Sequence, residues 1–392
     1  MSDQEVDSGD GIVTGTTMDD KYFDKYDMTH KKRGVAYIFN NENFMDLPTR
    51  LGSSKDAEDF KSALKDLGFH ENDINVCTDV TAKEMLAVLN DFNEEDSHIK
   101  DQEVNSLFRI AAATTMDTVN VNGSTCAQFD LPTEEDLMKC FEKYDMTHEK
   151  RGVAYIFNVK NFSDPRLETR HGSSKDTKHF KKALENLGFH EDDINVFTDF
   201  TAKEMLGTLE DLGQIDPKIN IDCFVCAILS HGKGNDIIRG YEGEVELDEL
   251  LSCLRPDRCP SLTGIPKLIF IEACRGSKID DGVERKDAEE EESERKPPKI
   301  PIMADMLVFH SSSDKYPSVI HKRKGSWFMQ TLSKVLVKYG TEYEIMKLLT
   351  AVCKRVGSLE LRKLDNLEYD SCKQMPQIMS TLLKRLKFEP RN

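Results

Sequence analysis

A cysteine and a histidine each stand just beyond a short apolar run, and together they are a candidate nucleophile and its base. The run Lys267-Leu268-Ile269-Phe270-Ile271 leads into Glu272-Ala273-Cys274-Arg275-Gly276, and a second run upstream ends at Ser230-His231-Gly232. Apolar runs closed by Gly-rich breaks read as buried strands of a parallel sheet, and ligands of such sheets bind beyond the carboxyl ends of the strands. His231 and Cys274 both occupy such ends. A free thiol is mostly protonated at neutral pH, so a nucleophilic cysteine needs a nearby imidazole or other positive field to become thiolate. The stretch between the two residues has room for a helix and a crossover that puts their strands side by side.

The elements that must hold this pair follow from periodicity. Val153 to Asn158 and Ile194 to Thr198 read as strands, each followed by a helix, and a third strand runs to Ser230. One helix shows Phe180, Leu184 and Leu187 on a single face with Gly188 as its stop, and the next shows Met205, Leu206, Leu209 and Leu212. A helix from about Asp248 leads to the strand before Cys274. After Cys274 the pattern fails: Asp280-Asp281-Gly282 and the acidic run Asp287 to Glu294 cannot bury a core and read as a solvated linker. Beyond it come a strand from Met306 to His310 and a helix with Phe328, Leu332, Val335, Leu336 and Tyr339 on one face. A second helix through Ile345, Leu348, Leu349, Val352 and Val356 and a last strand from Gln377 follow. Alternating strands and helices predict an α/β layer fold around a mostly parallel sheet.

Cys223-Phe224-Val225-Cys226 imitates a zinc or redox motif, but it lies within the strand leading to Ser230. Residues three apart on a strand point to opposite faces, so the two sulfurs read as core thiols, and no metal or other cofactor is expected.

The chain repeats itself. Lys25-Tyr26-Asp27-Met28-Thr29-His30 returns as Lys143-Tyr144-Asp145-Met146-Thr147-His148, and Leu67-Gly68-Phe69-His70-Glu71 as Leu187-Gly188-Phe189-His190-Glu191. The second copy gains two residues near Pro165-Arg166. Thr81-Ala82-Lys83-Glu84 and Thr201-Ala202-Lys203-Glu204 both read as capping boxes that open a helix. The first copy is predicted to run to about residue 98, before any equivalent of His231 or Cys274. Two strands and two helices leave an open sheet edge and an open apolar face. Such a piece docks on the part of the chain after the acidic linker in place of the second copy, stays partly unfolded, or is a gene-prediction fusion absent from the mature chain.

Composition narrows the partners. With 392 residues and 38% hydrophobic residues the chain can bury a real core, and its net charge of −18 argues against nucleic acid and anionic membrane surfaces. No apolar stretch reaches spanning length, and Met1-Ser2-Asp3-Gln4-Glu5 is acidic rather than a signal peptide, so the expected location is cytoplasmic. Ten scattered cysteines then read as reduced thiols.

The residues around Cys274 resemble the caspase signature Gln-Ala-Cys-Arg-Gly with a histidine about 50 residues upstream, with Glu272 in place of Gln. The segments Arg151 to Asn158, Thr169-Arg170-His171-Gly172, Lys299 to Asp305, Gly325-Ser326-Trp327-Phe328 and Gln374-Met375-Pro376 are similar to caspase landmarks in caspase order. The resemblance implies a caspase-like three-layer sandwich, a mostly parallel central sheet flanked by helices, and an effector caspase-like cysteine endopeptidase active in apoptosis-related proteolysis. It implies catalysis by His231 and Cys274, an oxyanion hole from the N–H groups of Gly232 and Cys274, and protein substrates. It also implies a zymogen cut at linker aspartates, here Asp281 and Asp287, and a homodimer or a heterodimer with another caspase. On this reading the chain divides into a disordered acidic tail (1–20), a truncated large-subunit copy (21–98), a linker (99–139), a large subunit (140–281), an acidic linker (282–298) and a small subunit (299–392).

Substrate binding is where the pattern departs. Caspases grip a substrate aspartate with two arginines and the Gln before Ala-Cys, and Arg170 matches the first arginine. Counting back from Gly325 through Ser318-Val319-Ile320 puts Ile320 at the second, with Ser318 and Trp327 beside it, and Glu272 replaces the Gln. A three-residue slip would instead bring in Arg323, and both registers stay open. Three functions remain in view: an active endopeptidase, a catalytically weak homologue that regulates other caspases by dimerisation or decoy binding, and a scaffold built on the duplication. The intact His231, Gly232 and Cys274 favour the first.

Overall fold

The computed structural model describes residues 28–30, 32–45, 48–95, 108–114, 141–214, 220–275, 303–314, 316–362 and 371–391, with Tyr26 and Met138 besides. The expected tail, residues 1–20, and the acidic linker, residues 282–298, lie outside these, as do Gly276, Asp281 and Asp287. Two compact units divide the chain, one over residues 24–131 and the other containing residues 132–392.

The first unit holds β1 (Gly34–Asn40), α1 (Ser53–Asp66), β2 (Ile74–Thr78), α2 (Ala82–Glu95) and β3 (Phe108–Thr114). Its sheet has the order β2-β1-β3 with both pairings parallel. Ala36, Ile38, Ala57, Leu64, Phe69 and Ile74 form its small core. The third strand falls in the stretch predicted to be a linker, beyond the boundary expected near residue 98. An Ala-rich run, Ile110-Ala111-Ala112-Ala113, has weak strand propensity and no alternation to betray it, so only pairing with β1 defines it.

The second unit opens with β4 (Lys150–Asn158), α3 (Ser173–Asn186), β5 (Ile194–Thr198), α4 (Ala202–Asp211) and β6 (Ile221–Leu229). A small antiparallel ribbon of β7 (Gly232–Lys233), β8 (Ile237–Arg239) and β9 (Glu244–Glu246) leads to α5 (Leu247–Ser252) and β10 (Lys267–Glu272). Then come β11 (Met306–His310), the hairpin β12 (Ile320–His321) with β13 (Gly325–Ser326), α6 (Trp327–Tyr339) and α7 (Ile345–Gly357). A second hairpin, β14 (Leu361–Arg362) with β15 (Ser371–Cys372), precedes β16 (Gln377–Ser380). The central sheet runs β16-β11-β10-β6-β4-β5, parallel throughout except where β16 meets β11.

Side chains of the buried strands alternate between two cores. Ala154, Ile156, Val225, Phe270 and Phe309 join Phe180, Phe328, Leu332 and Leu348 on the α3, α6 and α7 side. Phe157, Phe224, Ile228, Ile269 and Val308 join Met205, Leu209 and Leu250 on the α4 and α5 side. This is the three-layer α/β sandwich that the strand and helix periodicities predict. Cys223 falls in the first core and Cys226 in the second, so their sulfurs lie on opposite faces of β6.

Both capping boxes form. Thr201 Oγ1 accepts from the Glu204 N–H at 3.2 Å while the Glu204 carboxylate accepts from the Thr201 N–H at 2.8 Å, and Thr81 and Glu84 repeat the arrangement. Thr201→Ala removes one half of the reciprocal pair and should cost about 1 kcal/mol, read as a lowered urea midpoint at unchanged slope.

The end of the chain is tied back to the start of this unit. Asp222, fully buried, pairs with the buried Arg151 at 2.6 Å and with Arg391 at 2.7 Å, and His148 Nδ1 lies 2.9 Å from its other oxygen. Arg151 also donates to the carbonyls of Leu187 and Glu389 and lies over the Phe388 ring. A buried guanidinium and carboxylate are tolerated because every charge finds partners.

Candidate active site

Strands β6 and β10 are parallel neighbours with Ile228 beside Ile271 and Leu229 beside Glu272, so their carboxyl ends deliver His231 and Cys274 to one edge of the sheet. The Ser230 N–H donates to the Glu272 carbonyl at 3.1 Å and carries the ladder one residue further. The closest approach comes at Gly232. A Cβ there would lie 2.4 Å from the Cys274 carbonyl oxygen and 3.1 Å from the Ala273 Cβ. Only glycine lets the segment after the histidine back onto the cysteine.

His231 Nε2 lies 2.8 Å from the carbonyl oxygen of Glu168. A carbonyl only accepts, so Nε2 carries the hydrogen and the lone pair of the neutral ring is at Nδ1. The ring packs against Phe162 with centroids 4.7 Å apart. Burial lowers the His231 pKa, the Glu168 hydrogen bond opposes this, and the charges of Arg170 and Arg239 lower it further. Burial raises the Cys274 pKa, against the N–H of Ser318, which reaches the Cys274 Sγ at 3.4 Å. Both shifts favour a neutral thiol beside a neutral imidazole, so deprotonation of the thiol is a step to be made rather than a resting state.

A buried charge cluster lies beside the cysteine. Arg170, 4% exposed, donates from Nη1 to the Val159 carbonyl at 3.3 Å. Glu272, 2% exposed, accepts from Ser318 Oγ at 2.7 Å through Oε1, while its Oε2 has no partner. Burial pushes the Glu272 carboxyl up to about 7, the negative charge of Asp176 adds to this, and Arg170 opposes it. Asp176 is itself raised to about 6 by burial, against hydrogen bonds from Gln330 and the Ser326 N–H. Two carboxyl groups thus share the field of one guanidinium.

Ile320 lies in β12 opposite Ser326, and Arg323 occupies the exposed turn of that hairpin, where its N–H donates to His321 Nδ1 at 3.0 Å. Trp327, half-buried, donates its N–H to the Val319 carbonyl at 3.1 Å. Ser318 also receives a bond from Gln374, whose amide accepts from the Val319 N–H at 2.9 Å and donates to the Ser311 carbonyl at 2.7 Å. Gln374, 2% exposed, therefore fixes the segment that faces Cys274.

Two of these contributors, Glu168 and Asp176, carry no sequence signal. Glu168 acts through its carbonyl. Asp176 reads as an ordinary acidic residue in the first turn of α3, yet it accepts from the Ser326 N–H at 2.9 Å and from Gln330 at 2.8 Å. Arg275 grips Asp236 bidentately at 2.6 and 2.8 Å and reaches Gln377 at 2.6 Å, which ties the residue after the cysteine to β16. Among the described residues no cluster of His, Cys, Asp and Glu could hold a metal ion, and no helix is long and apolar enough to cross a membrane.

The chain is similar to known proteins. The Caspase domain family matches residues 33–121 and 151–387, touching both copies of the repeat. Caspase-6 of Gallus gallus is 33% identical over 261 residues, covering 64% of this chain and 84% of that protein. Caspase drICE of Drosophila melanogaster is 36% identical over 249 residues, covering 63% and 72%. The crystal structure of caspase-1 from Spodoptera frugiperda superposes with a TM-score of 0.57 at 33% identity, covering 64% of this chain and 96% of that one.

Proposed function

Since the chain belongs to the caspase family of cysteine-type endopeptidases, we propose that Cys274 is its nucleophile and His231 its acid and base. The observation that carries this reading is the packing of Gly232 on the Cys274 carbonyl, which sets the His231 segment against the cysteine. The lone pair at His231 Nδ1 takes the thiol proton, directly or through water, and the Sγ attacks the scissile carbonyl carbon of a protein substrate. The N–H groups of Gly232 and Cys274 receive the oxyanion of the tetrahedral intermediate. His231 then gives the proton to the leaving amine. Water attacks the thioester that remains, loses its proton to His231, and frees the new carboxyl group and the thiol.

Arg170 supplies positive charge for the side chain preceding the scissile bond, with Ser318, Ile320, Trp327 and Glu272 shaping the same pocket. The preferred residue is aspartate or a related side chain. The chain works as a zymogen in apoptosis-related proteolysis in the cytoplasm, and it dimerises with itself or another caspase through the outer edge of β16. Glu272 and Ile320 favour a second reading, a catalytically weak homologue that regulates other caspases.

An electrophilic peptide ketone tests the first reading. It should label Cys274 alone among the ten cysteines, read by mass spectrometry of the digested protein. Labelling spread over several thiols would leave the weak homologue as the better account. Asp281→Ala with Asp287→Ala should block separation into large and small fragments on a denaturing gel. Fragments of unchanged size would place the cut elsewhere.

A further inference from the structure

The two copies build the same local structure and differ in what covers one helix. Ala36 pairs with Ile74 as Ala154 pairs with Ile194, and Asp79 receives the N–H groups of Glu42 and Asn43 as Asp199 receives those of Lys160 and Asn161. On α1, the residues Asp56, Phe60, Ala63 and Leu67 occupy the positions of Asp176, Phe180, Ala183 and Leu187 on and just after α3. In the second unit all four are buried. In the first unit all four are exposed, Phe60 by 37% against 0% for Phe180 and Leu67 by 61% against 3% for Leu187.

What buries the second set is α6 together with the central sheet. Asp176 accepts from the Ser326 N–H and from Gln330 at the start of α6, and Phe180 packs edge-on against Phe270. At the far end, a Cβ on Gly340 would meet Leu187 Cδ2 at 2.4 Å. The first copy keeps the carboxylate that receives the start of α6 and the apolar side chains that line its path. Its charges suit that helix better than those of α3 do. Helix α6 carries Lys334 and Lys338 and no acidic residue. Helix α3 carries four lysines and two carboxylates, whereas α1 carries three lysines and the four carboxylates of Asp56, Glu58, Asp59 and Asp66.

We propose that the exposed face of α1 is a docking site for the Gly325–Tyr339 segment of a second copy of this chain. The carboxylate of Asp56 receives the Ser326 N–H and the amide of Gln330 there, and Phe60, Ala63 and Leu67 cover the apolar face of α6. The first unit thereby competes with α3 for the same helix. In the sequence Thr115 and Met116 follow Thr114 where Ser230 and His231 follow Leu229, so a captured helix is joined to a unit whose sequence lacks that imidazole. The docking does not depend on whether Cys274 is the nucleophile.

Cross-linking within the full chain tests this. A photoreactive benzophenone residue replaces Phe60, heavy-isotope and light-isotope chains are unfolded and refolded together, and the irradiated sample is digested for mass spectrometry. The expected product joins position 60 of one isotope to residues 325–339 of the other. Leu67→Asp, at an exposed position, should lower its yield at least tenfold. Cross-links confined to a single isotope, cross-links to other segments, or none at all would overturn the proposal, as would an unchanged yield with Leu67→Asp.

Discussion

Cys274→Ala should reduce turnover of a fluorogenic peptide at least about 10⁴-fold, since losing a nucleophile removes the covalent route as a whole rather than one increment of binding. The fold should tolerate the change. The thiol is only partly buried and gives up a weak contact with the Ser318 N–H, while the residues that pin this segment, Gln374 and Ser318, are untouched. The thermal midpoint should therefore stay within a few degrees of wild type. Cleavage undiminished in the Ala protein would remove Cys274 from the chemistry and leave the packing of Gly232 against it a structural contact.

The second large effect concerns the pocket beside it. Glu272→Gln with Ile320→Arg should raise kcat/KM for a peptide with aspartate before the scissile bond by at least about tenfold. Charge-assisted hydrogen bonds contribute about 1.5–3 kcal/mol each, so a pocket that lacks one cation and adds one anion loses roughly two to four powers of ten in preference for aspartate. The buried Oε2 of Glu272 has no partner, and Arg170 is shared with Asp176, so an incoming carboxylate finds its one cation already occupied. A peptide with asparagine at that place should gain much less. The pH dependence has a definite sign. Below about 7 Glu272 holds its proton, and as pH rises through that value it acquires the charge that repels the substrate. The ratio of aspartate to asparagine cleavage should fall between pH 6 and 8 more steeply in wild type than in Glu272→Gln, where only Asp176, raised to about 6, still titrates beside Arg170, and the ratio cancels any titration of the catalytic pair. Wild-type protein already as fast on aspartate as the double variant would show that another cation serves the pocket.

Most of the architecture was legible from periodicity because the strands of a parallel sheet are buried on both faces and announce themselves as apolar runs. Met306 to His310 and Ile194 to Thr198 match the predicted strands residue for residue, and the helix ending at Gly188 stops where a left-handed glycine requires it. β3 was missed because alanines carry neither alternation nor strand propensity. In the candidate site, residue types and their spacing were readable, whereas contributions made through position were not. The Asp176 carboxylate beneath Gly325 gains its meaning from a segment more than a hundred residues away, and Glu168 acts through a backbone atom that every residue has. Glu272 shows a different limit. Its identity was plain, but its shared cation and unpartnered oxygen depend on a carboxylate contributed by α3.

The Asp222 clamp bears on what a cut in the acidic linker achieves. Arg391 and the carbonyl of Glu389, at the end of the chain, are fastened to Asp222 and Arg151, which precede the acidic linker in sequence, and β11, which follows it, is hydrogen-bonded to β10, which precedes it. A cut in the linker would therefore change connectivity without changing mass in solution, since these contacts join the segments on either side of it. A tag on one half would then retrieve both.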